Sequence, residues 1–134
     1  EAFTNVKEYM KSIEDFAVEN GYVETLIKRR RIFDFNSANT MQRIAYLREA
    51  VNTKFQGSAA DLIKLSMIKI FEKYKNNQNL KMILQIHDEL IFEVKNEMLD
   101  EITKDLQEIM ENIFTLEIPL KVSVSIGNSW GELK

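Results

Sequence analysis

Between residues 81 and 94, two short apolar runs flank three polar residues. The runs are Lys81-Met82-Ile83-Leu84-Gln85-Ile86 and Leu90-Ile91-Phe92-Glu93-Val94, and His87-Asp88-Glu89 lies between them. Together the runs carry three isoleucines, a valine and a phenylalanine, and no proline interrupts them, so the stretch predicts a β-hairpin with the polar triplet at its tip. Nearly every strand position is apolar, which predicts burial on both faces and strand neighbours alongside. A chain built around such a hairpin has to lay other elements over it.

The flanking segments supply those elements. Val6, Met10, Ile13 and Ala17 recur at helical spacing, and Asn20-Gly21 provides a C-terminal stop. Tyr22 to Leu26 and Arg31 to Phe33 predict two short strands around the basic turn Lys28-Arg29-Arg30. Ser37 is the expected cap of a helix running to about Asn52, and a second helix is expected from Gln56 to Tyr74. Lys75 to Asn79 is a polar loop. Beyond the hairpin, Asn96 is the expected N-cap of a helix whose apolar stripe is Leu99, Ile102, Leu106, Ile109 and Ile113. Leu120, Val122, Val124 and Ile126 alternate with polar residues behind Pro119, predicting a last strand with one buried face. Hairpin, crossing helix and strand together predict an α+β fold, an antiparallel sheet with helices packed on one face.

Composition narrows the class. The chain is 45% hydrophobic and 29% charged, as in ordinary globular domains. It has no cysteine, which excludes a disulfide framework or thiolate metal site and fits a cytoplasmic protein. No apolar run approaches the roughly 20 residues that span a bilayer, so no membrane partner is expected. The chain opens at Glu1 directly into a helical pattern, pointing to a piece of a longer protein. The net charge of −3 conceals an asymmetry: residues 20–80 carry 11 Lys/Arg against 5 Asp/Glu, whereas residues 81–134 carry 5 against 11. A basic middle can face a polyanion and an acidic end can attract cations, although solvated helix faces would give the same counts.

Three groups of residues could carry chemistry. Adjacent carboxylates such as Asp88 and Glu89 attract a hard cation, and Mg²⁺ commonly takes one or two protein carboxylates with phosphate oxygens and water. Acidic residues are also common turn formers, and His87 serves equally well as a core, capping or ligand residue. Arg48, Asn52 and Gln56, four residues apart, form one polar stripe on a continuous helix. Their donors suit the acceptors that every base pair presents in the minor groove, and the small residues Gly57-Ser58-Ala59-Ala60 would let a backbone approach. An exposed polar face packed on a neighbour would look the same. Arg29, Arg30 and Arg31 could grip phosphates or simply decorate a solvated turn.

These groups occur in a distinctive order. The segments Gly21 to Leu26, Arg29-Arg30, Val51 to Asp61, Gln85 to Leu90, and Ile118 to Val122 through Gly127 to Trp130 resemble successive blocks of the family A DNA polymerases of bacterial type. The resemblance covers nearly the whole chain. It implies the end of the fingers and the palm of a larger polymerase domain, with a palm-type sheet. Gln85-Ile86-His87-Asp88-Glu89 would be the family's motif C: Asp88 a ligand of the catalytic Mg²⁺ ions, Glu89 a second acidic residue, His87 near the primer terminus. Arg48, Asn52 and Gln56 would touch the template–primer in the minor groove, and Arg29 and Arg30 would lie close to the DNA backbone. Primer–template DNA and deoxynucleoside triphosphates would be the partners of the parent, a replication or repair enzyme.

The sequence departs from the family pattern at Lys54, where many relatives carry proline, and in a shorter, proline-free stretch near Asp34. Motif A and the nucleotide-binding fingers helix are not within the 134 residues. The segment alone is therefore expected to be inactive and to self-associate through an unpaired sheet edge or an uncovered helix face. Two other classes stand beside this reading: a DNA-binding module without chemistry, and an unrelated metal phosphohydrolase. The second would require more acidic or histidine ligands than a chain with one histidine offers.

Overall fold

The computed structural model describes residues 2–116 and 119–133 as two compact units, Glu1–Asp61 and Leu62–Lys134. In the first unit, helix α1 (Ala2–Asn20) stops at Gly21, whose φ of +77° is cheap only for glycine and whose N–H donates to the Ala17 carbonyl at 2.7 Å. Of the predicted apolar stripe, Ile13 and Ala17 are buried, while Val6 and Met10 are exposed. Strands β1 (Tyr22–Glu24) and β2 (Arg30–Ile32) pair antiparallel, with Val23 opposite Arg31. The first is shorter than expected because residues 25–29 form the turn, and the second is shifted one residue earlier than expected. The Thr25 N–H donates to the Arg29 carbonyl at 2.9 Å, and Lys28 takes a left-handed φ of +67°.

Helix α2 (Thr40–Asn52) is capped by Asn39 and not by Ser37. Asn39 accepts from the Gln42 N–H, and the Gln42 side chain accepts from the Asn39 N–H, both at 2.9 Å. This reciprocal box satisfies two backbone donors at once. Ser37 instead donates its N–H to Asp34 at 3.3 Å, and hydrogen bonds from Ser37 hold the Asp34 carboxyl below the usual carboxylate range. The core of the unit is Ile13, Ala17, Val23, Phe33, Phe35, Ala50 and Val51, with Tyr46 and Leu47 against it. Phe33, Phe35 and Tyr46 form an aromatic triangle with centroid separations of 5.5–5.8 Å. A π-helical turn, Thr53–Gly57, joins α2 to α3 (Ser58–Tyr74), so the polar stripe expected on a regular helix crosses a wider turn.

The second unit holds most of α3, strands β3 (Leu80–Ile86) and β4 (Glu89–Val94), and α4 (Leu99–Glu111). Ile70, Leu80, Ile102 and Leu106 are its buried core; Met82, Leu90, Phe92 and Val94 pack on it from the hairpin. Asn96 does not cap α4: it opens a 3-10 turn (Asn96–Met98) that leads into the helix without a side-chain cap. The helix ends before Ile113, where the Asn112 N–H and side chain both reach the Glu108 carbonyl, at 3.1 and 2.8 Å. Lys73 and Tyr74 of α3 both donate to Asp105 of α4, the lysine at 2.7 Å.

Two expectations for this unit fail. Among the described residues the hairpin is not buried on both faces: Ile83 is 57% and Leu84 37% exposed, at a register irregularity between Met82 and Leu84. The predicted last strand, 120–126, forms no ladder among the described residues. Side chains of α4 take its backbone groups instead: Gln107 donates to the Val122 carbonyl, and the Val122 N–H donates to Glu111, both at 2.9 Å. Alternation marks a possible strand face, but a strand exists only where a partner offers its edge. Each sheet among the described residues is therefore a two-stranded antiparallel ribbon, with helices as the main covering layer. No described helix is long and apolar enough to cross a membrane.

Candidate nucleic-acid interface and carboxylate turn

In the second unit the β3–β4 turn carries the predicted triplet. His87 adopts a φ of +52°, in the left-handed region, and its carbonyl accepts from the Gln85 side chain at 3.3 Å. Asp88 completes the two-residue connection, and Glu89 is already the first residue of β4, paired with Ile86. All three side chains are exposed, and neither carboxylate forms an ion pair among the described residues. A left-handed residue in a two-residue connection is what a tight hairpin turn requires, and it projects the neighbouring carboxylate from a rigid ribbon. Among the described residues no cluster of three or more histidine and acidic side chains forms a closed metal cage. Two adjacent, unpaired carboxylates match an ion that takes one or two protein ligands and fills its shell with phosphate oxygens and water.

In the first unit the predicted basic and polar residues meet. A cleft of about 470 Å³ is lined by Thr25, Arg29, Arg30 and Arg31 on the β1–β2 side and by Asn52, Thr53, Gln56 and Gly57 on the π-turn side. Asn52 and Gln56, four residues apart, share this wall across the wide turn. Arg48, one turn earlier on α2, is exposed but does not line the cleft. Gly57 lets the walls approach: a Cβ there would stand 3.0 Å from the Thr25 methyl. Ser58 ties them together by accepting the Leu26 N–H at 3.0 Å.

Each arginine is held differently. Arg30 pairs with Glu24 at 3.4 Å and stacks over the Tyr22 ring, 4.2 Å from its centroid. Arg31 pairs with Glu49 at 3.0 Å and donates to the Thr53 hydroxyl at 3.3 Å. Arg29 lies 2.8 Å from the buried carboxylate of Asp61. The sequence marks Arg31 only by its place in the basic run and does not mark Thr25, Thr53 or Asp61 as site residues. The basic run was the available signal for Arg31. Nothing in the chain marks Asp61 as buried beside a cation 32 residues away.

Comparisons with known proteins agree with one another. The profile of DNA polymerase family A matches residues 1–132. DNA polymerase I of Helicobacter pylori is 41% identical over 133 residues, covering 98% of this chain and 15% of that protein. DNA polymerase I of Bacillus subtilis is 43% identical over 136 residues, covering 100% of this chain and 16% of that protein. The chain thus spans about a sixth of the length of these relatives. Its backbone resembles the POL domain of Pol1 from M. smegmatis, solved in complex with DNA primer-template and dNTP. The TM-score is 0.92 at 38% identity, covering 98% of this chain and 24% of that one. The chain belongs to DNA polymerase family A.

Proposed function

We propose that this chain is the C-terminal part of the polymerase domain of a DNA-directed DNA polymerase, comprising the end of the fingers and the palm with motif C. The whole enzyme adds deoxynucleotides to a primer 3′-end. The observation that supports this best is the exposed carboxylate turn, His87-Asp88-Glu89, in a family A chain whose backbone closely follows a polymerase domain holding primer-template and dNTP. Primer–template DNA and deoxynucleoside triphosphates are accordingly the proposed partners, and the proposed setting is the cytoplasm.

Asp88 would hold Mg²⁺, with Glu89 as the second acidic residue at that turn. Two such ions, when bound, supply the positive charge that activates the attacking hydroxyl and neutralises the leaving pyrophosphate. The protein's own contribution is placement. The β3–β4 ribbon fixes where Asp88 stands, and the left-handed backbone at His87 sets its direction. His87 lies beside the primer end. Arg48, Asn52 and Gln56 hold the duplex through minor-groove acceptors common to all base pairs, and Arg29 and Arg30 meet its phosphates. The segment by itself is inactive, because the second metal-binding aspartate of the family lies outside it.

Asp88→Ala in the polymerase carrying this segment tests the assignment. Single-turnover incorporation should fall by far more than about tenfold, while primer–template affinity stays near wild type, since phosphate contacts dominate binding. A loss below about tenfold would remove Asp88 from the metal site.

A further inference from the structure

Among the described residues Asp61 is the only fully buried charged side chain, 1% exposed, yet no well-aligned hydrogen bond reaches either of its oxygens. Its one close partner is Arg29, with Nε 2.8 Å from Oδ1. Burying a carboxylate against a single cation is a poor way to gain stability, and an apolar residue of similar volume often does better. Arg29 itself is not buried: its side chain is 55% exposed and lines the cleft beside Asn52 and Gln56. The ion pair occupies Nε. The terminal amino groups form no hydrogen bond to other described residues, and Nη2 lies 4.0 Å from where a Cβ on Gly57 would stand, at the cleft wall.

We infer that Asp61 is a positioning residue that clamps Arg29 through Nε, so that Nη1 and Nη2 stand as a preset fork for one phosphodiester of a bound nucleic-acid strand. A guanidinium is rigid and planar, so a buried charge held 2.8 Å from its Nε restricts where the other two nitrogens can point. A fork–fork contact to phosphate rewards that alignment, whereas a freely turning arginine loses side-chain entropy on binding. The backbone completes the clamp. The Arg29 N–H donates to the Thr25 hydroxyl at 3.2 Å and its carbonyl accepts the Thr25 N–H at 2.9 Å, so the backbone that carries the side chain is fixed as well. This inference rests on the nucleic-acid reading of the cleft and adds to it a residue that touches no DNA.

The test measures dissociation constants of the full polymerase for a primer–template duplex across a KCl series, for Asp61→Asn, Arg29→Ala and the double variant. Asp61→Asn removes a negative charge near a polyanion, so simple electrostatics predicts equal or tighter binding. Positioning predicts weaker binding, by about fivefold, and a double variant no weaker than Arg29→Ala alone. Arg29→Ala should lower the slope of log affinity against log salt by about one. Wild-type or tighter binding by folded Asp61→Asn, or additive losses in the double variant, would overturn the inference. If circular dichroism shows Asp61→Asn unfolded, Arg29→Lys decides. It keeps the charge without the fork, so about a fivefold loss at unchanged slope supports the clamp and wild-type affinity refutes it. Asn52→Ala and Gln56→Ala separate the two levels. If both weaken binding and Asp61→Asn does not, only the clamp falls. If both bind normally along with Arg29→Ala, the nucleic-acid reading of the cleft falls, and the clamp with it.

Discussion

Tyr74→Phe removes one oxygen and leaves the ring packed on the second core, so it isolates the hydrogen bond to Asp105. That carboxylate receives two donors, the Tyr74 hydroxyl and the Lys73 ammonium. Burial works to raise the Asp105 carboxyl, but the bonds from Lys73 and Tyr74 and the Lys73 charge outweigh it and hold the carboxyl below its usual range. Burial first, then the bond to Asp105, pushes the Tyr74 phenol well up, so it remains a neutral donor throughout the accessible range. The Lys73 side chain is 54% exposed, and an exposed pair contributes under about 1 kcal/mol. The phenol is the better-buried donor, and a hydrogen bond to a charged group contributes about 1.5–3 kcal/mol. Tyr74→Phe should therefore cost about 2 kcal/mol near neutral pH, more than Lys73→Ala.

The pH dependence follows from the sign of the shift. A carboxyl lowered on folding contributes stability above its unfolded pKa of about 3.9, and that contribution is lost as pH falls through the lower folded value. The Tyr74→Phe penalty should thus be full at neutral pH and shrink toward that of a neutral hydrogen bond, about 1 kcal/mol or less, in acid. Urea unfolding followed by far-UV circular dichroism reads this directly. With a slope of about 2 kcal/mol per molar, the midpoint should drop by about 1 M near neutral pH. A shift below about 0.2 M, or one of equal size in acid, would refute the account of Asp105.

Three further outcomes are expected. Lys28→Gly relieves a left-handed non-glycine residue, so the thermal midpoint should rise by a few degrees, about 1 kcal/mol; an unchanged or lower midpoint would show Lys28 to be unstrained. In the whole polymerase carrying this segment, Asn52→Ala and Gln56→Ala should impair primer extension from matched and mismatched ends by different factors, because only a group reading base-pair shape distinguishes them. Equal factors would reduce both residues to anchors. The isolated 134-residue chain should self-associate, and Ile83→Lys, at the exposed irregularity of β3, should weaken the association in sedimentation equilibrium. A wild-type chain that stays monomeric at high micromolar concentration would contradict it.

What the sequence determined by itself was local. The helical repeat of Ile13 and Ala17, the stop at Gly21, the hairpin around His87-Asp88-Glu89 and the stripe of Ile102 and Leu106 are set by backbone propensity and side-chain period, which neighbours in the chain already specify. Spacing also brought Asn52 and Gln56 onto one wall. The cap of α2 was local too: Ser37 and Asn39 are both chemically able caps, and the one used has Gln42 three residues on to answer it. The tertiary structure decided whatever required a partner from elsewhere. Leu120 to Ile126 alternates like a strand but pairs with neither described ribbon, and its Val122 backbone groups go to side chains of α4. Asp61 reads as an ordinary acidic residue in the first turn of a helix. That it is buried, with Arg29 beside it, appears only in the tertiary structure, because burial is a property of what covers a residue and not of the residue itself.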